Sequence, residues 1–140
     1  MEHDIHSQMR ALPAFNRATI NTATTTNGNI IDLAGYEGCE IVILTDTITA
    51  AGSGASGALY ESDTGAFGGE QTLVPVDKIR GGYPVIDQDA DDNKAFRFGY
   101  TGKKRYVRPS IVSLAAFNGS LSAIAILGVP RNAPVADQNT

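Results

Sequence analysis

Glu40-Ile41-Val42-Ile43-Leu44 and Ala123-Ile124-Ala125-Ile126-Leu127 decide the fold. The first, after Glu40, and the second throughout are short, continuous apolar runs with β-branched side chains. Such runs suit central strands covered on both faces, or a strand at a subunit interface. Working outward, Phe96, Phe98 and Tyr100 alternate with Ala95, Arg97 and Gly99, the period of a strand with one apolar face. Further candidate strands lie at 18–22, 29–33, 40–49, 58–61, 71–76, 95–100, 105–114 and 121–127. Asn27-Gly28 and Asn118-Gly119 read as turns because both residue types tolerate positive φ, and the second predicts a hairpin between the last two strands. Pro75 places its strand at a sheet edge. From residue 17 to 130 no segment carries a long helical period with caps. The pattern predicts an all-β protein, a jelly-roll-like β-sandwich.

The first sixteen residues read differently. Ile5, Met9 and Leu12 share one face of a short helix by spacing, and Pro13 ends it. The expected organisation is an extended N-terminal arm over 1–16, a sandwich domain over 17–130 and a C-terminal tail over 131–140.

Composition narrows the function classes. The chain has 140 residues, 42% apolar and 19% charged, enough apolar content for one folded domain. Its net charge of -4 disfavours a protein that grips phosphate backbones, so nucleic acid is not an expected partner. Residues 121–129 are too few to span a bilayer. The opening Met1-Glu2-His3-Asp4 lacks the basic and apolar regions of a secretory signal, so a soluble protein made in the cytoplasm is expected, with no membrane partner. A single cysteine, Cys39, forms no internal disulfide and reads as a small core residue.

Motifs with chemical potential fail on context. Gly52-Ser53-Gly54-Ala55-Ser56-Gly57 matches G-x-G-x-x-G, but a strand and turn follow where a dinucleotide site needs a helix. Asp87, Asp89 and Asp91 open like a calcium loop, yet Asp92 and Phe98 stand where glycine and glutamate are required. His3 and His6 have no carboxylate or thiol cluster to complete a metal site. No Gly-x-Ser-x-Gly elbow is present. No catalytic, cofactor-binding or metal site is therefore expected, and the chain reads as a non-enzyme. Lys103, Lys104, Arg105 and Arg108 form the one basic cluster, suited to an acidic protein surface.

Three stretches resemble a known family. They are Thr24-Thr25-Thr26-Asn27-Gly28-Asn29-Ile30-Ile31-Asp32-Leu33 with Gly35-Tyr36-Glu37, then Asp91-Asp92-Asn93-Lys94 leading to Gly99-Tyr100-Thr101-Gly102-Lys103-Lys104-Arg105-Tyr106-Val107-Arg108, and the closing Ala125-Ile126-Leu127-Gly128-Val129-Pro130-Arg131-Asn132-Ala133-Pro134. Over roughly 17–134 the chain resembles the cement, or decoration, proteins of tailed-bacteriophage capsids. The arm lies outside the resemblance.

That resemblance implies a non-catalytic virion protein on the outer capsid surface, binding the major capsid protein and itself as a homodimer or homotrimer. It would clamp neighbouring capsid subunits and stabilise the filled head. The residues expected to touch the capsid are Met9, Leu12 and Phe15 in the arm, and Lys103, Lys104, Arg105 and Arg108 in the basic cluster. The rival reading is a receptor- or carbohydrate-binding β-module of a phage head fibre or tail. The absence of tryptophan and an aromatic content of 7% weigh against it, since sugar sites expose aromatic platforms.

Overall fold

The computed structural model describes residues 4–68, 71–136 and 138. Among them the chain is strand, loop and short 3-10 turns, with no α-helix. The strands are β1 (Met9–Ile20), β2 (Thr25–Asn27), β3 (Ile31–Asp32), β4 (Tyr36–Ala50), β5 (Ala55–Ser62), β6 (Thr72–Leu73), β7 (Ile79–Arg80), β8 (Val85–Ile86), β9 (Ala95–Tyr100), β10 (Tyr106–Ser113) and β11 (Asn118–Pro130). They form two antiparallel sheets. One has the order β1-β11-β4-β9-β7. In the other, β10 and β5 pair centrally, with β2 and β3 beside β10 and β6 and β8 beside β5. If β2/β3 and β6/β8 each count as one interrupted strand, the chain winds between the sheets as a jelly roll does. The all-β, jelly-roll-like sandwich is thus the observed architecture.

Strand parity builds the core. Leu12, Ala125, Ile41 and Phe98 stand opposite one another across four strands of the first sheet and point inward. The next inward rung is Phe15, Ala123, Ile43 and Phe96. The second sheet answers with Ile31, Leu59, Val107 and Ile111, all buried. Each such side chain contributes about 1.5–3 kcal/mol on burial. Tyr83 packs edge-on against Phe98 with ring centroids 5.6 Å apart.

Three sequence expectations change. First, the arm is a strand from Met9 onward: β1 pairs with β11 from Met9↔Gly128 to Ile20↔Gly119. The spacing of Met9 and Leu12 looked helical, but in the strand they lie on opposite faces. Pro13 is tolerated because β1 is an edge strand. Secondly, Asn118-Gly119 makes no hairpin. The strands β10 and β11 lie in different sheets, and both residues sit inside β11. The reversal falls earlier, where Ala116 takes a φ of 63°. Thirdly, Gly28 does not adopt positive φ. Its N–H donates to the Pro109 carbonyl at 2.7 Å, and a Cβ there would meet that same oxygen. Close approach of two backbones, rather than a turn, requires glycine at this point.

The acidic loop is also structural. Asp91 is buried, and its carboxylate accepts from the backbone N–H groups of Asp87 and Gln88 and from Lys94 Nζ at 3.2 Å. Those bonds fold residues 87–94 into a capped 3-10 turn. Gly52 and Gly54, both at positive φ, turn the chain from β4 into β5, so the literal G-x-G-x-x-G is an inter-sheet connection.

Buried titratable groups give the fold a signature in base. Burial pushes the Cys39 thiol up to about 12 from 9.0, and the Tyr83 hydroxyl up to about 12 from 10.0. Folding therefore favours their protonated forms. This contribution is complete below the unfolded values and is lost as pH rises from 9.0 toward 12. The urea midpoint is expected to hold up to pH 9.0 and to fall beyond it; a midpoint that rises in that window contradicts the assignment.

Candidate interaction surface

The strand β4 decides the surface as well as the core. Its inward residues Ile41 and Ile43 are buried, and its outward residues are Val42 and Leu44. Register sets Ile124 of β11 opposite Val42, and Ile126 opposite Glu40. The outer face of the first sheet therefore carries Val42, Leu44, Ile124 and Ile126 side by side. Leu44 is 46% exposed and Ile124 39%. A one-sided antiparallel sheet normally turns polar residues to water. This face keeps an apolar stripe, and the continuous runs at 40–44 and 123–127 are its signal in the sequence.

Ion pairs bound the stripe. Arg97 reaches Glu40 at 3.3 Å, linking β9 to β4. Arg17 reaches Asp46 at 2.8 Å, passing from β1 across β11 to β4. Both pairs are largely exposed. They mark a polar rim around an apolar centre, the general layout of a protein-protein contact.

Lys103, Lys104 and Arg105 line one cleft, and two of the four basic residues pair with acids of the same chain. Arg105 forks onto Asp32 with two bonds of 3.0 Å and lies over the Tyr106 ring. Its hydrogen bonds hold the Asp32 carboxyl below the usual carboxylate range. Lys104 pairs with Asp63, which raises the lysine above its ordinary value. Arg108 bonds Gln71 at 2.6 Å and stacks on Phe67. Of the four, Lys103 and Arg108 make no ion pair among the described residues. The two exposed pairs contribute about 0–1 kcal/mol each, so they hold the loop lightly and offset two of its four charges.

The arm residues fare differently from one another. Phe15 is buried at 6% exposure and Leu12 packs against the core, so both face the interior of their own sandwich. Met9 is half-buried on the outer face, opposite Gly128. No element brings Met9, Leu12 and Phe15 onto one outward surface, because a strand alternates faces.

Beside the basic loop lies a cleft of about 550 Å³ lined by Leu33, Tyr36, Cys39, Tyr100, Lys103 and Arg131 among others. At its base the Tyr100 hydroxyl donates to the buried Glu61 carboxylate, joining the two sheets. Burial, and then that bond, push the Tyr100 hydroxyl upward. The Tyr100 hydroxyl and the Cys39 thiol therefore keep their protons at neutral pH, which suits a structural role better than a nucleophilic one.

Fold and surface together describe a β-sandwich with an apolar stripe on the outer face of its first sheet. No protein-family model matches the sequence, and no curated protein does. Solved structures share the architecture. The SPBc2 prophage-derived protein YomS is 10% identical, with 85% of this chain and 91% of that one covered at a TM-score of 0.50. The PBSX exported protein XepA is 12% identical at a TM-score of 0.57, and this chain, 94% covered, spans 41% of its length. At such identities the likeness is one of fold.

Proposed function

We propose that this chain is a non-catalytic structural protein of a bacteriophage particle, decorating the outer capsid surface and cementing neighbouring major capsid protein subunits. The observation that carries the reading is the apolar stripe of Val42, Leu44, Ile124 and Ile126 on the outside of a rigid sheet. It is supported by the resemblance of residues 17–134 to cement proteins, and by a jelly-roll fold shared with the prophage-derived YomS and with XepA. In this reading the stripe seats on the shell protein. Self-association then sets several such contacts at a fixed separation. Each adds to the next at high effective concentration, so the assembly holds where one contact would not.

The test is co-sedimentation with expanded, empty heads. The native chain is expected to saturate them, and Leu44→Asp with Ile124→Asp is expected to weaken binding at least roughly 100-fold, since charges replace buried methyls. Its thermal stability should stay near that of the native chain, because both positions face water. Full decoration by the variant, or none by the native chain, overturns the proposal. Retention of the native chain on a glycan array without head binding would favour the carbohydrate-binding module instead.

A further inference from the structure

The free edge of β1 is closed by side-chain amides and by a backbone N–H from outside the sheet. An edge strand presents unpaired N–H and C=O groups that can template another strand. Here Asn29 meets two of them: its backbone N–H donates to the Ala14 carbonyl at 2.8 Å and its Nδ2 to the Pro13 carbonyl at 2.9 Å. Toward the N-terminus the C-terminal tail takes over. Gln138 Nε2 donates to the Ala11 carbonyl at 2.7 Å, and the Ala11 N–H donates to Gln138 Oε1 at 2.9 Å. A carboxamide that gives and takes at one residue reproduces a ladder pair. The Val135 N–H adds a bond to the Ser7 carbonyl at 2.8 Å. Both contacts advance in the same chain direction, so the tail runs parallel to β1.

The two closures are held differently. Asn29 follows Gly28, which is locked to Pro109, and precedes β3. The tail is anchored only at its first residue, where the Arg131 N–H donates to the Gly35 carbonyl at 2.8 Å and Arg131 Nε to Glu37 at 2.7 Å; beyond it residues 132–134, 136 and 138 are exposed, and Val135 is half-buried. Hydrogen bonds of about 0.5–1.5 kcal/mol net each hold it on the edge.

We propose that the segment from Ser7, in the 3-10 turn before β1, to Ala11 on the β1 edge is a strand-addition site whose occupant is the C-terminal tail, its own in the free chain and that of a second copy when copies are crowded. The second copy is the fitting partner because its tail offers the same three bonds to Ser7 and Ala11. Exchange through the exposed segment 132–134 replaces those three bonds one for one while Arg131 stays on Gly35 and Glu37 of its own copy. What favours the chain's own tail is effective concentration, of millimolar order for a short tether. Copies packed side by side reach that concentration, and the tails then link neighbours. The inference requires crowding alone and stands apart from any shell protein.

Mixing a Ser7→Cys chain with a Val135→Cys chain at about 1 mM, near the tethered concentration, and adding a short bis-maleimide tests this. The linker tolerates a slip of one residue, and Cys39 is buried away from it. The expected product has twice the mass of the 14.7 kDa chain. Its yield should be at least roughly tenfold above a control with Cys at the exposed Thr47 in place of Ser7. Adding Gln138→Ala to the Val135→Cys chain should cut that yield severalfold. In dilute solution the Ser7→Cys, Val135→Cys double variant should close on itself. A mixture no better than the control overturns exchange, and a double variant that fails to close overturns the edge contact itself. A yield indifferent to Gln138→Ala overturns the role given to its amide.

Discussion

Phe15→Ala is expected to destabilise the protein by about 3–5 kcal/mol, the usual loss for a buried phenylalanine. For a domain of this size that lowers Tm by roughly 10 °C or more. Phe15 is 6% exposed and faces Ala123 of β11 on the inner side of the first sheet. Truncating its ring leaves a cavity at the sheet edge rather than a bare patch on a mobile arm. Thermal melts followed by far-UV circular dichroism decide the matter. A Tm within a few degrees of the native chain would mean that residues 9–16 fold independently of the core, and that β1 is wrongly placed. Deleting 1–16 should be still more damaging, since it removes Leu12, Ala14 and Phe15 together from the packed interior.

Gly28→Ala should prevent native folding or cost about 3 kcal/mol or more, because overpacking against rigid groups is relieved poorly. The added methyl would meet the Ala14 and Pro109 carbonyl oxygens, the second at 2.8 Å. Both belong to the backbone, and Gly28 is bonded to Pro109, so none of the three can give way cheaply. The matched control is Gly68→Ala, where nothing lies within 4 Å of the new Cβ. The control should fall within about 0.5 kcal/mol of the native chain. Equal urea midpoints for the two variants would refute the tight approach of β10 to the segment after β2.

These two sites show what the sequence could and could not say. Alternation at 95–100 and the apolar runs at 40–44 and 123–127 are local, and each identified a strand correctly. The destination of a strand is not local. Asn118-Gly119 has the chemistry of a hairpin turn, yet a jelly roll sends β10 and β11 to opposite sheets, and the reversal moves to Ala116. Gly28 was legible as glycine but not as a contact between strands far apart in sequence. Met9 and Leu12 are three residues apart, and only pairing with β11 shows that they face opposite ways.

The same limit governs the candidate site. Four cations within 103–108 read as a basic patch, and the sequence could not show that two of them meet remote acids: Asp32 for Arg105 and Asp63 for Lys104. The outward stripe was legible in part. Continuous apolar runs mean coverage on both faces, and register then shows that Val42, Leu44, Ile124 and Ile126 share the outer one.

The proposed cementing role requires the outer sheet face to hold shell subunits together. A reconstruction of purified phage heads tests it most directly. Copies are expected in fixed ratio to the major capsid protein, with Leu44 and Ile124 against the shell and each copy in contact with a sibling. Heads without this chain, or copies whose stripe faces open solvent, would contradict it.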